Sequence, residues 1–246
     1  MTQRTLLRLT GDDRHHFLQN LVTNDVSPGH GLTWAALLTP QGKYLADFFL
    51  LDRGEETLLD VAAPLAGDLM KRLTMYKLRA KVGLEETSLT VARGTDAAPD
   101  GALADPRHPA LGWRLYGASG EDGTDWDALR VAHVIPETRV ELIPNESYPL
   151  EVGFERLHGV DFRKGCYVGQ EVTARMKHKS ELKKGLVQVQ VEGTAPIGTE
   201  ITIKGRAAGT LYTQSGGKAL AYLRFARATA PMQAGAATVI WDGKKP

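Results

Sequence analysis

The sequence predicts an α+β protein, with mixed strands and helices over residues 1–180 and an antiparallel β-barrel over residues 181–246. Short apolar alternations (TLLRLT, TWAALL, YLADFFLL) lie among stretches whose apolar residues recur at helical spacing. After Lys179 the pattern changes. KKGLVQVQVEG, GTEITIKG, AAGTLYTQS, KALAYLRFA and ATVIWDG are period-2 strands separated by glycine turns at near-regular spacing, as a small barrel or sandwich requires. A chain of 246 residues, 42% hydrophobic and 24% charged, can bury the cores of one large or two modest domains.

Thr5–Thr10 reads as the first strand. Gly11-Asp12-Asp13 offers an N-cap to a helix over RHHFLQNLV, where His15, Leu18 and Val22 share a face. Thr23, Asn24 and Asp25 then form a polar turn or face a ligand. Thr33–Leu38 and Tyr44–Leu51 are strands joined by the turn Thr39–Lys43. The second strand contains one acid, Asp47, which must face solvent or be partnered, because burying it alone is costly. Glu56–Val61 is another strand. The helix Pro64–Arg72, with Leu65, Leu69 and Leu73 four apart, runs on into MYKLRAKV. There Lys77, Arg79 and Lys81 alternate, so a following strand would carry a basic face, either a solvated edge or a cationic wall for an anionic ligand. Residues 93–110 read as a loop or link, Leu111–Tyr116 as a strand, and Asp125–His133 as a helix ended by Pro136. PLEVGFERLHGVDF is amphipathic, so part of it must pack, and Glu151 within it is a surface acid or a ligand.

The stretch Asp161–Lys177, DFRKGCYVGQEVTARMK, holds the only cysteine, Cys166. Gly165 and Gly169 permit a turn or a close approach, and from Gln170 onward the residues suit a helix, with Val172 and Met176 on one face. A lone cysteine is commonly a small buried hydrophobe. Here its neighbours are Lys, Gly, Tyr and Gly, and a position ahead of a helix N-terminus near Arg163 and Lys164 favours a reactive thiolate.

Composition narrows the function. A net charge of +1 gives no bulk attraction to nucleic acid or anionic membrane. One cysteine allows no internal disulfide, and it cannot supply the roughly four thiolates that usually hold an iron–sulfur cluster. No apolar run approaches the ~20 residues of a membrane span, so a cytoplasmic protein is expected. The histidines at 15, 16, 30, 108, 133, 158 and 178 show no H-x-x-H or H-E-x-x-H spacing, so no metal site is expected. Walker, Rossmann and G-x-S-x-G patterns are absent.

K-G-C-Y-x-G-Q-E, present without mismatch as Lys164–Glu171, resembles the signature of the YgfZ family. These are folate-binding proteins linked to iron–sulfur cluster assembly and repair, and relatives of the glycine-cleavage T-protein, an aminomethyltransferase. Phe17–Val26, the L-T-P-Q-G-K…D-F block, Met75–Val82 and P-L-E-x-G at 149–153 resemble further family blocks. The resemblance implies a T-protein-like fold of two interwoven subdomains followed by a barrel. It implies tetrahydrofolate or a one-carbon derivative as cofactor, held by Asp47 and Glu151, with Arg79, Tyr167, Gln170, Glu171 and Arg175 in the binding set. A carboxylate suits the pterin, whose amino group and ring N–H form a parallel donor pair. Cys166 would then act as nucleophile, redox group or transient cluster ligand, assisted by Lys164, while Glu171 and Arg175 pair at i, i+4. Partners would be folate and iron–sulfur client or assembly proteins, with no membrane or nucleic-acid partner. The competing reading is a tetrahydrofolate-dependent aminomethyl- or methyltransferase in which Asp47 orients or protonates the reacting centre. The chain departs from the T-protein pattern in lacking paired acids and a Gly-Gly lead-in near Asp47, which weakens the transferase reading. An RNA-linked module is suggested only by the basic 77–81 stretch, and the near-zero net charge opposes it.

Overall fold

The computed structural model describes residues 3–29, 31–179, 181–229 and 231–245. His30, and Ser180 at the expected domain boundary, lie outside them.

Five strands form the first sheet: β1 (Arg4–Thr10), β2 (Leu32–Leu38), β3 (Tyr44–Asp52), β4 (Glu56–Ala62) and β5 (Gly83–Glu86), in the order β2-β3-β4-β1-β5. All pairs are antiparallel. Residues 44–50 of β3 are buried without alternation, so the strand is covered on both faces. Helix α1 (Arg14–Gln19) buries Phe17 and Leu18. Asp13 occupies its N-cap position but does not cap it; the carboxylate instead accepts from the Lys81 backbone N–H at 2.7 Å.

Helix α2 (Ala63–Lys77) buries Leu65, Leu69 and Leu73. It stops where Leu78 adopts φ 46°. The expected basic strand face therefore does not form: Lys77 closes the helix, Arg79 and Lys81 sit exposed in the turn that follows, and β5 begins only at Gly83.

The second sheet contains β6 (Val91–Gly94), β7 (Leu103–Ala104), β8 (Trp113–Tyr116) and β9 (Gly120–Glu121), ordered β7-β8-β6-β9. Residues 93–110 are thus part of a sheet rather than a simple link. They also carry buried charges. Asp105 pairs with Arg107 at 2.7 Å and Arg114 at 3.7 Å, while Arg114 reaches across to Asp60 on β4, which Arg4 meets at 2.6 Å. Arg107 and Arg114 lie 4.8 and 4.1 Å from the Phe49 ring centroid, joining the two sheets. Burial pushes the Asp60 carboxyl up, but Arg114 and Arg4 outweigh it and hold it below the usual carboxylate range. Helix α3 (Trp126–His133) is capped by Asp125, which accepts from Ala128 N at 2.9 Å.

After the 3₁₀ helix Pro149–Val152 and α4 (Gln170–Lys179) comes the closed barrel of β10 (Lys184–Glu192), β11 (Glu200–Ile203), β12 (Arg206–Ser215), β13 (Lys218–Arg224), β14 (Met232–Ala234) and β15 (Ala237–Ile240). Its order is β10-β13-β12-β11-β14-β15. Val187, Val189, Ile201, Leu211, Leu223 and Val239 fill it. Arg130 of α3 docks it, donating to Glu141 at 2.8 Å and to Thr213 on β12 at 2.7 Å. Among the described residues no helix is long and apolar enough to cross a membrane.

Candidate functional site

The motif loop is anchored to the first turn of the chain. The Thr23 hydroxyl donates to Gly159 O at 2.6 Å, Asn24 donates to His158 O at 2.7 Å, and Asp161 N–H donates to Thr23 O at 3.0 Å. Thr23 and Asn24 therefore clamp the segment entering the motif. Lys164 then turns inward, its ammonium donating to Gln19 O at 2.8 Å and Val22 O at 2.5 Å, 5.1 Å from the Tyr167 ring centroid. Burial lowers its pKa to about 8, with Asp25 and Asp161 opposing. Tyr167 is buried and its phenol is pushed up to about 12.

Between these two anchors Cys166 is exposed and free. The buried small-hydrophobe reading is excluded. Lys164 serves the loop rather than offering its charge openly to the thiol.

The two glycines differ. Gly169 has φ +84°, and a Cβ there would lie 2.5 Å from Thr39 O, so the Thr39–Lys43 turn packs directly on its backbone. A Cβ built at Gly165 would meet nothing within 4 Å, and its φ is not positive, so no steric demand for glycine exists there. Gln170 reaches back to Gly165 O at 3.3 Å. Glu171 and Arg175 stand exposed on α4 with no ion pair between them, so the expected i, i+4 pairing is not formed; both side chains extend into water.

Asp47 and Glu151 belong to separate internal clusters. Asp47 is buried, one oxygen accepting from Tyr44 Oη (2.7 Å) and Thr138 Oγ1 (2.6 Å), the other from Trp34 Nε1 (3.0 Å). Burial and the adjacent Asp47 charge hold the Tyr44 phenol well above its ordinary pKa. Glu151, also buried, accepts from the Tyr222 hydroxyl of β13, with Lys184 Nζ at 3.5 Å. Arg79 stands exposed in the turn after α2. Both Asp47 oxygens accept from protein donors, whereas Glu151 meets only the Tyr222 hydroxyl and the Lys184 ammonium.

A separate cleft lies on the first sheet. Beside β3 a cleft of about 430 Å³ has an apolar floor of Leu37, Leu45, Ala46, Leu65, Leu69 and Ile143. Arg72, Arg139, Asp68 and Asn145 complete it. Cavities of this size accept drug-sized ligands, and two guanidinium groups suit carboxylates. Arg139 (φ 63°) and Asn145 (φ 66°) both hold left-handed backbone. The Pro144-Asn145 pair signals a turn in the sequence; nothing there marks Arg72 or Arg139.

Residues 183–243 match the model of the CAF17 C-terminal beta-barrel domain. The chain is 32% identical to the mitochondrial iron-sulfur cluster assembly factor IBA57 of Mus musculus, covering 90% of this chain and 75% of that protein. The chain belongs to the IBA57 family. The Homo sapiens IBA57 protein matches at 32% identity over 89% of this chain and 75% of its own length, and the Mycosarcoma maydis IBA57 homolog at 32% over 78% and 57%. The fold is that of the glycine cleavage system aminomethyltransferase T from Bartonella henselae, with a TM-score of 0.72 at 12% identity over 96% of this chain and 81% of that one. In this IBA57 family member the T-protein-like frame thus carries one exposed thiol and an interior aspartate closed off by its own neighbours.

Proposed function

We propose that this chain works in iron–sulfur cluster assembly by supplying one thiolate ligand, that of Cys166, to a cluster whose remaining ligands come from an assembly or client protein. The observation that carries this reading is the exposure of the sole cysteine in a loop held on both sides by buried groups, Lys164 and Tyr167. One thiolate cannot hold a cluster alone, so the thiol is an attachment point. The Cys166 S–H gives its proton to solvent and the sulfur takes an open or exchangeable position on iron. A free exposed thiol also suits a reducing, cytoplasmic compartment. The names of the IBA57 relatives support the pathway, and the K-G-C-Y-x-G-Q-E motif supports a YgfZ-like use of the thiol.

We further propose that tetrahydrofolate or a one-carbon derivative binds in the cleft beside β3. The pterin would lie against Leu45, Leu65 and Ile143, with the glutamate carboxylates on Arg72 and Arg139. When bound, folate would supply one-carbon or redox chemistry. The engaged state of Asp47 gives aminomethyl transfer by that acid no support.

The thiol role is tested by expressing Cys166→Ser in cells lacking the native protein and assaying iron–sulfur enzymes. Full rescue would remove it. The folate role is tested by calorimetric titration of tetrahydrofolate into wild type, Arg72→Ala and Arg139→Ala. Binding lost in both variants supports the cleft. Absence of binding to wild type removes folate and leaves the thiol role standing.

A further inference from the structure

A second cleft, also of about 430 Å³, opens where the barrel meets the C-terminal end of α3. His108, His133, Arg156, Gln188, Lys244 and Lys245 line it, and Val134, Leu186 and Val187 supply an apolar wall. Asp242 is the one carboxylate in the lining, set against the three fixed cations Arg156, Lys244 and Lys245. The lining is therefore cationic even with both imidazoles neutral.

The donors are arranged in a particular way. The rings of His108 and His133 lie against each other in a tilted pair, centroids 4.2 Å apart and planes inclined by 34°. Ala110 N–H donates to His108 Nδ1 at 3.1 Å, which places the proton of the neutral ring on Nε2, a donor. Arg156 is fixed by donating to His133 O at 3.0 Å and Val134 O at 2.7 Å. Its fork is thereby engaged by carbonyls and does not offer a bidentate grip on a carboxylate. What remains are point donors from several directions, imidazole N–H and lysine ammonium groups, the pattern that suits a tetrahedral oxyanion.

The charged groups at the cleft have protein partners. Asp105 faces His108 but is held by Arg107 and Arg114. Lys244 meets Asp242 at 3.3 Å and Lys245 meets Glu181 at 2.5 Å, both in exposed, exchangeable pairs. Protonating His108 would bring its charge against His133 and Arg156. Burial, His133 and Arg156 accordingly lower the His108 pKa, with Asp105 opposing. A bound dianion would remove that penalty.

We infer that this cleft between α3 and the barrel is a binding site for a small phosphorylated molecule, its phosphate held by His108, His133, Lys244 and Lys245 and its organic part lying against Val134, Leu186 and Val187. The site is separate from the motif loop and independent of the role proposed for Cys166. Binding there would be accompanied by proton uptake, because the anion favours imidazolium.

The test uses the full chain and two probes. Sulfate, a tetrahedral dianion that does not titrate near neutrality, is titrated at about pH 6 and about pH 7.5, while histidine ring resonances are followed by NMR. Adenosine diphosphate is titrated calorimetrically at the same two pH values. Saturable binding that shifts the His108 and His133 resonances and tightens about fivefold or more at the lower pH is expected. The His108→Gln/His133→Gln and Lys244→Ala/Lys245→Ala variants, checked by thermal unfolding for an intact fold, should each weaken it by about tenfold. Tighter binding of adenosine diphosphate than of sulfate would show the apolar wall in use. Absence of saturable binding by both probes at about pH 6 would overturn the inference, as would binding that both folded variants leave unchanged.

Discussion

Lys164 and Cys166 stand two residues apart in one loop, the first with its ammonium buried on the carbonyls of Gln19 and Val22, the second exposed. The lysine of the motif fixes where the thiol is displayed. Lys164→Met should cost roughly 1–3 kcal/mol in denaturant unfolding, the range for hydrogen bonds made by a charged group. It should also lower rescue of iron–sulfur enzymes without blocking alkylation of Cys166. Wild-type stability together with full rescue would show that the loop holds its shape without this anchor.

The same lysine gives the fold a pH dependence. Burial holds its pKa at about 8 in the folded chain, below the ordinary lysine value of 10.5. Between those values the unfolded chain binds more protons, so stability rises with pH across that window and the penalty of the buried charge is fully present below about pH 8. Denaturation at about pH 7.5 and about pH 9.5 should show wild type gaining on Lys164→Met by roughly 1–2 kcal/mol, allowing for residual solvent contact. A difference that is flat, or that runs the other way, would contradict the assignment.

The two motif glycines should respond differently. Gly169→Ala combines φ +84° with a Cβ 2.5 Å from Thr39 O, whereas Gly165→Ala meets open space. We expect a loss of about 1–3 kcal/mol for the first and less than about 0.5 kcal/mol for the second in thermal unfolding. Equal effects would mean that the turn at Thr39 does not rest on the motif.

Asp47 tests the closed interior. Asp47→Asn keeps the shape but turns an amide N–H₂ toward hydroxyl or indole donors, leaving at least one unsatisfied, and should cost about 2–4 kcal/mol. If this variant melted with wild type while losing tetrahydrofolate binding, Asp47 would be a ligand after all and the cleft beside β3 would lose its place.

Much of this architecture was legible because its causes are local. The barrel follows from period-2 strands between glycine turns, and α4 from the helical run opening at Gln170. Asp47 was readable as a carboxylate needing partners, yet one of them, Thr138, lies 91 residues away, beyond any local pattern. The basic alternation at 77–81 does not become a strand because a positive φ at Leu78, a residue with no turn signature, ends the helix there. Residues 93–110 looked like a link because their Pro, Gly, Ala and Asp content hides Asp105 and Arg107, whose burial depends on Arg114 and Phe49. The cleft beside β3 has no sequence signature because α2, β3 and residues 139–145 meet there only in three dimensions.

The clamp between Thr23 and Gly159 spans 136 residues, and that between Asn24 and His158 spans 134. On a ribosome the N-terminal turn emerges early and must wait, with these donors unmet, until the segment before the cysteine has left the exit tunnel. Contacts of such long sequence separation form late, after the local strands and helices. A nascent chain that stalls before residue 161 therefore presents neither the anchored loop nor its thiol. Display of the Cys166 thiol is thus coupled to synthesis well past residue 161, on a chain whose first sheets are already built.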